Sequence, residues 1–209
     1  MERMKQIAKY GTLTPKQSEA FQKWNEVAFK DGALSHKLKE LMAIAAAATT
    51  GCEFCLDLHG KAAKRIGVTD KEVAEALMVA TASKAGSSFA HGANALNVFD
   101  EYEDDDYFKR SYMPKMMELK DGAPEDAQAF FGFTMSAFAE GELTVKEKEL
   151  IATVVALITS CPYCIEQHVT NAKKAGATRE EVSEAVFIAA ALNAGSAFTQ
   201  AVIPLKQFD

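Results

Sequence analysis

The sequence has no Lys/Arg-rich run, and its 23 basic residues are outnumbered by 29 acidic ones, giving a formal charge of -6 and a pI near 5.3. Phosphate binding depends on clustered cations, so neither a nucleic-acid partner nor an anionic membrane surface is expected. Membrane-length apolar runs are also missing. The longest uncharged runs of mainly apolar residues, read as Leu41 to Cys52 and Leu150 to Ile165, fall short of the roughly 18 residues that begin to span a bilayer, and are expected to be buried helices. The opening residues, MERMKQIAKYGTLT, lack the apolar core and small-residue cleavage site of a secretory leader, so a cytoplasmic, reducing compartment is expected. In that setting four cysteines are thiols, metal ligands or a redox couple rather than structural staples. No segment alternates cleanly enough to be a strand.

What remains is ordinary globular composition over 209 residues, 48% hydrophobic and 25% charged, which excludes disordered, collagen-like and coiled-coil classes. The chain repeats itself. A gap-free shift of 109 positions aligns Pro15–Asp100 with Pro124–Asp209, and about two in five of the pairs are identical, both CxxC pairs among them. The predicted organisation is a first repeat over 1–100, an acidic linker over 101–112 and a second repeat over 113–209. The run DEYEDDDYFKRSY, opening at Asp100, is too densely charged to share a buried face and reads as a solvated connector.

Each unit reads as helical throughout, for an all-α chain of about ten helices. Pro15 to Lys30 and Pro124 to Ala139 carry apolar residues at three- and four-residue steps, with proline where a first turn tolerates it. A second helix starts at the N-cap candidates Ser35 and Thr144 and runs to Thr50 and Thr159. A third carries the cysteines and ends at Gly67 and Gly176. A fourth, about Asp70 to Ser83, and a fifth, about Gly86 to Phe99, have counterparts in the second copy. The alanine-rich stretch MAIAAAATT predicts close helix packing around the cysteine site.

The chemistry-bearing residues repeat as E-x11-C-x2-C-x3-H: Glu40, Cys52, Cys55 and His59, then Glu149, Cys161, Cys164 and His168. On a helix the second cysteine and the histidine are i,i+4 neighbours. Twelve residues of straight helix would put Glu40 about 18 Å from Cys52, whereas a hairpin turning near Thr50-Gly51 leaves Glu40 and His59 mismatched by only about 4 to 5 Å along their axes. The hairpin therefore predicts a Glu40, His59, Cys55 relay and a Glu149, His168, Cys164 relay. In each, the carboxylate orients the imidazole and the imidazole takes the thiol proton. The first cysteine has another source of activation: Pro162 at the first helical position makes Cys161 the cap, its sulfur facing the helix amino-terminal amides. Each site thus offers two nucleophiles. We assign external attack to the second cysteine and the resolving role to the first. A four-thiolate zinc site is the rival reading of two CxxC pairs, disfavoured because each pair has its own histidine and glutamate. His36 and His91 align with Val145 and Gln200 and are given no role. Phe54 and Tyr163 are expected to shape access to the sulfurs.

These residues resemble the alkylhydroperoxidase D-like, or carboxymuconolactone decarboxylase, superfamily, whose redox branch carries this E-x11-C-x2-C-x3-H pattern. The resemblance covers essentially both repeats. It implies an all-helical fold assembled as a trimer of two-repeat chains, and hydroperoxide reduction by the CxxC pair. Cys55 and Cys164 would be peroxidatic, Cys52 and Cys161 resolving, and the Glu/His pairs the proton relays. No cofactor or metal is implied; the partners are a hydroperoxide and an external dithiol or redox-protein reductant. This sequence departs from alkylhydroperoxidase D in having CEFC and CPYC, with no histidine between the cysteines, and in keeping two complete sites. The decarboxylases of the superfamily lack the CxxC pair. The function expected is therefore a thiol-dependent peroxidase or a general disulfide oxidoreductase, with a redox-responsive adapter that senses rather than turns over, or a structural zinc protein, as the alternative.

Overall fold

The computed structural model describes residues 2–99 and 108–208; most of the expected acidic linker, residues 100–107, lies outside the described residues. Among the described residues the chain forms α-helices and short 3-10 turns, with no strand, as expected. In the first half these are α1 (Glu2–Leu13), α2 (Pro15–Ala28), α3 (His36–Thr50), α4 (Glu53–Arg65) and α5 (Asp70–Phe99). A 3-10 turn at Arg110–Tyr112 leads into the single turns α6 (Met113–Met116) and α7 (Leu119–Gly122). Then come α8 (Pro124–Phe138), α9 (Val145–Ile158), α10 (Pro162–Lys174), α11 (Arg179–Gln200) and the last single turn α12 (Val202–Leu205).

The caps expected from the sequence close these helices. Ser35 accepts from the Leu38 amide, and Thr144 and Thr178 form full capping boxes with Glu147 and Glu181. Two expectations are corrected. The predicted break between a fourth and a fifth helix does not occur: α5 runs unbroken for 30 residues through Gly86. One interior glycine costs only about 1 kcal/mol against alanine, which strong helix formers and packing on both sides override. Its counterpart α11 stops at Gln200, because the Pro204 ring would meet the carbonyl four residues back. In addition, α1 forms where no helix was expected, held by tertiary contact: the Tyr10 ring lies 4.9 Å from that of Phe198.

At the centre, α3 and α9 lie against one another. Every residue from Leu38 to Ala47 and from Lys148 to Ala156 is buried, the charged Lys39, Glu40, Lys148 and Glu149 included. Around them the repeats interleave, with α11 on α3 and α5 on α8 and α9, so both contribute to one continuous core. The expectation that no apolar run reaches membrane length is also corrected: the stretch Arg179–Phe208 is long and apolar enough to cross a membrane by length and composition. In this fold α11 spends Ala185, Ile188, Ala191 and Leu192 on that core.

Two reciprocal ion pairs fasten the halves. The Glu184 carboxylate of α11 accepts from the Ala33 and Leu34 amides and pairs with Lys39 at 2.9 Å. The Glu75 carboxylate of α5 does the same with the Glu142 and Leu143 amides and Lys148, also at 2.9 Å. Gly32 and Gly141 stand where a Cβ would overlap these carboxylates.

Candidate active site

The cysteine helices begin at hairpins like the one the spacing required. Helix α3 ends on Gly51 at φ 70°, a left-handed residue that turns the chain back within one step; Ser160 takes the same role after α9 at φ 53°. The residue that follows each turn, Cys52 or Cys161, is the N-cap of the next helix. Its sulfur accepts from the backbone amide of the second cysteine, at 3.2 Å in the first repeat and 3.3 Å in the second. The capping position expected for Cys161 is therefore occupied by both first cysteines, although α4 lacks the proline of α10. Both pairs, Cys52–Cys55 and Cys161–Cys164, are closed as disulfides, each with Cα atoms 5.3 Å apart.

The return of the hairpin brings histidine and glutamate together. His59 Nδ1 meets Glu40 Oε2 at 2.9 Å, and His168 Nδ1 meets Glu149 Oε2 at 2.7 Å. A carboxylate only accepts, so Nδ1 donates and Nε2 is left as the basic nitrogen. Both glutamates are buried, each followed along its helix by a mainly apolar stretch. Neither imidazole hydrogen-bonds a sulfur in this disulfide form, among the described residues. Each ring lies flat against a phenylalanine: Phe29 on His59 at 5.1 Å, and Phe138 on His168 at 5.4 Å.

Each cluster opens into its own cavity, about 380 Å³ in the first repeat and about 430 Å³ in the second. The wall facing the second cysteine and the histidine comes from the other repeat. Leu192, Gly195 and Phe198 of α11 close the Cys55 cavity, while Ser83, Gly86 and Phe89 of α5 close the Cys164 cavity. The remaining lining is mainly aromatic and aliphatic: Phe21, Phe29 and Leu58 at the first site, Met113, Phe130 and Phe138 at the second. The two cavities share no lining residue, and each pair of sulfurs is bonded within its own repeat. Among the described residues no group of three or more His, Cys, Asp or Glu side chains is arranged to hold a metal. Phe54 and Tyr163 line the cavities as expected. Burial holds the Tyr163 phenol above its ordinary value, against the lowering effect of its hydrogen bond to the Lys109 carbonyl.

Several neighbours of these clusters escaped the sequence reading. Thr199 of α11 places its hydroxyl 3.3 Å from Cys52 Sγ and 3.9 Å from Cys55 Sγ; its repeat counterpart is Ala90. Asn171 donates to the second oxygen of Glu149 at 3.2 Å. At the first site that position is Ala62, and His36, set aside above, stands 3.8 Å from the second oxygen of Glu40 while its Nδ1 donates to the Phe29 carbonyl. His91 packs edge-on to Tyr163 and Phe108 at the second site. The Ser83 hydroxyl, buried in the Cys164 cavity wall, finds no hydrogen-bond partner among the described residues. The phenylalanines stacked on the histidines were legible, since Phe29 and Phe138 coincide under the 109-residue shift; the others are not shared between repeats.

The profile of the carboxymuconolactone decarboxylase family matches this chain twice, over residues 15–98 and 124–207. The chain belongs to the carboxymuconolactone decarboxylase family. An uncharacterized protein of the cox locus of Paracoccus denitrificans is 43% identical over 81 residues, 39% of this chain and 73% of the relative. The alkyl hydroperoxide reductase AhpD of Mycobacteroides abscessus is 37% identical over 84 residues, 40% of this chain and 46% of its own length. A crystal structure from Burkholderia xenovorans LB400, described provisionally as a gamma-carboxymuconolactone decarboxylase subunit, superposes with a TM-score of 0.77 at 22% identity. It covers 97% of this chain and 89% of that one, a likeness of fold. The family includes enzymes, and both of its units here carry the complete Glu, Cys, Cys, His set.

Proposed function

We propose that this protein is a thiol-dependent peroxidase with two sites per chain, reduced by an external dithiol. One observation carries the reading: in both repeats the second cysteine and an imidazole oriented by a buried glutamate face the same apolar cavity. In the reduced enzyme the glutamate fixes the ring through Nδ1, and Nε2 takes the proton of Cys55 or Cys164. The thiolate attacks the terminal peroxide oxygen. The O–O bond breaks, the alkoxide takes the proton from the imidazolium and leaves as alcohol, and the sulfur becomes a sulfenic acid. Cys52 or Cys161, its thiolate favoured by the helix amino-terminal amides, attacks that sulfur and expels hydroxide, which takes a proton from solvent to become water, giving the disulfide. Two electrons pass from the thiols to the peroxide, so the cycle requires no further cofactor. The phenylalanine-rich walls suit an alkyl hydroperoxide better than hydrogen peroxide. The assembly that goes with this reading is a trimer, six repeats around one axis, in a reducing cytoplasm.

Successive additions of an alkyl hydroperoxide to fully reduced protein should consume all four thiols and, with excess dithiol, support many turnovers. Cys55→Ser combined with Cys164→Ser should abolish consumption, and wild-type activity in that double variant would refute the reading. One stoichiometric oxidation without turnover would point instead to a redox-responsive adapter. Light scattering at the mass of a single chain would dispose of the trimer.

A further inference from the structure

The Cys52–Cys55 disulfide stands in the wall between two cavities. Cys55 and His59 face the larger one described above. Cys52 faces a second, of about 210 Å³, bounded by Gly51, Glu53, Gln200, Val202 and Ile203. Phe54 and Thr199 line both and complete the partition. The Thr199 hydroxyl lies within hydrogen-bond reach of Cys52 and also of the Ser196 carbonyl, at 3.1 Å. The peroxide reaction makes no use of this second cavity. In the other repeat the corresponding sulfur, Cys161, is 0% exposed and lies in a cluster with Ala90, Tyr112 and Met116.

Thiol–disulfide exchange requires the incoming thiolate to approach along the S–S axis, opposite the sulfur that leaves. From the second cavity the sulfur within reach is Cys52, and the leaving sulfur, Cys55, departs into the cavity that holds His59. We propose that the cavity behind Cys52 is the port through which a small dithiol, or the dithiol end of a longer arm, reduces the first site. The inference rests on reading Cys52–Cys55 as a redox pair and adds the route by which its electrons arrive.

The steps balance. One thiolate of the reductant bonds to Cys52 Sγ, the Cys52–Cys55 bond breaks, and Cys55 is released as a thiolate beside the imidazole. The second thiol of the reductant gives its proton to solvent and attacks its own sulfur in the mixed disulfide. A cyclic disulfide leaves, and Cys52 is left as a thiolate against the Thr199 hydroxyl and the first amides of α4. One dithiol is oxidised for each protein disulfide reduced. The port has room for about seven water volumes, enough for such an end and far too little for a folded partner. Oxidant and reductant would thus reach opposite faces of one bond without competing for a single cavity.

The test uses the full chain, oxidised with diamide so that no peroxide is involved; a failure of the peroxidase reading leaves its result intact. A brief pulse of 2-mercaptoethanol, which cannot close a cyclic disulfide, is followed by alkylation with N-ethylmaleimide and peptide mass mapping. Mercaptoethanol on Cys52 with maleimide on Cys55 is expected; the reverse labelling would overturn the proposal. In parallel, Ile203→Trp fills the port from a largely exposed position. Its Cys52–Cys55 pair should be reduced by dithiothreitol about tenfold more slowly relative to Cys161–Cys164 in the same molecule, since exchange rates follow access to the attacked sulfur. A ratio unchanged from the parent would equally overturn it.

Discussion

In the proposed cycle Glu149 acts through His168, held at 2.7 Å, and Asn171 donates to its other oxygen at 3.2 Å. Glu149→Gln, in a chain whose first site is disabled by Cys55→Ser, should lower the rate of sulfenic acid formation about 10²-fold, the lower end of what general acid–base catalysis contributes. The loss should fall on kcat with KM and melting temperature held, and a loss confined to KM would make Glu149 a binding group instead. The glutamate was legible because it occurs twice at the same spacing, and helical arithmetic then demanded the hairpin. Thr199 and Ser83 were not legible. Each reaches its site from an element of the other repeat, 144 residues from Cys55 in the case of Thr199, and no local pattern marks such a residue.

Among elements, the two hairpins offer a matched pair of substitutions. Both turns need a left-handed residue, supplied by Gly51 in one copy and by Ser160 in the other. A Cβ in that conformation costs about 1–2 kcal/mol, so Gly51→Ala should destabilise by about that amount and Ser160→Gly should recover part of it. Chemical denaturation of the two variants checks both signs, and equal shifts in one direction would show that the turns are not equivalent. The helix starts were readable from capping residues because capping is local. The continuity of α5 through Gly86 was not, because packing against α8 and α9 outweighs one glycine.

For the molecule as a whole, the reciprocal pairs Lys39–Glu184 and Lys148–Glu75 decide whether two repeats behave as one body. Burial pushes the Glu75 carboxyl up, but the Leu143 amide, Lys148 and the Glu142 amide outweigh it and bring it down to about 2 from 4.5. A carboxyl lowered in the folded state stabilises fully above its unfolded value, and that contribution is lost as pH falls from about 4.5 toward 2. Denaturation midpoints should drop through this window in the parent and drop less in Glu75→Gln. At neutral pH the same variant should lose about 3 kcal/mol, since a Lys148 ammonium only 4% exposed loses its counter-charge and keeps the Ala139 carbonyl as acceptor. A midpoint within error of the parent would remove the pair from the stability of the fold. Sequence periodicity displayed two similar units but not their exchange of walls, which is a property of three-dimensional packing alone. That exchange puts the unit of heredity and the unit of chemistry out of step. A lone repeat would carry its own cysteines, histidine, glutamate and most of its cavity lining, but would lack the wall that α5 or α11 of the other repeat supplies. In the joined chain, a change in α5 is felt at Cys164 and a change in α11 at Cys55. Each half is therefore free to drift only as far as its neighbour's chemistry permits.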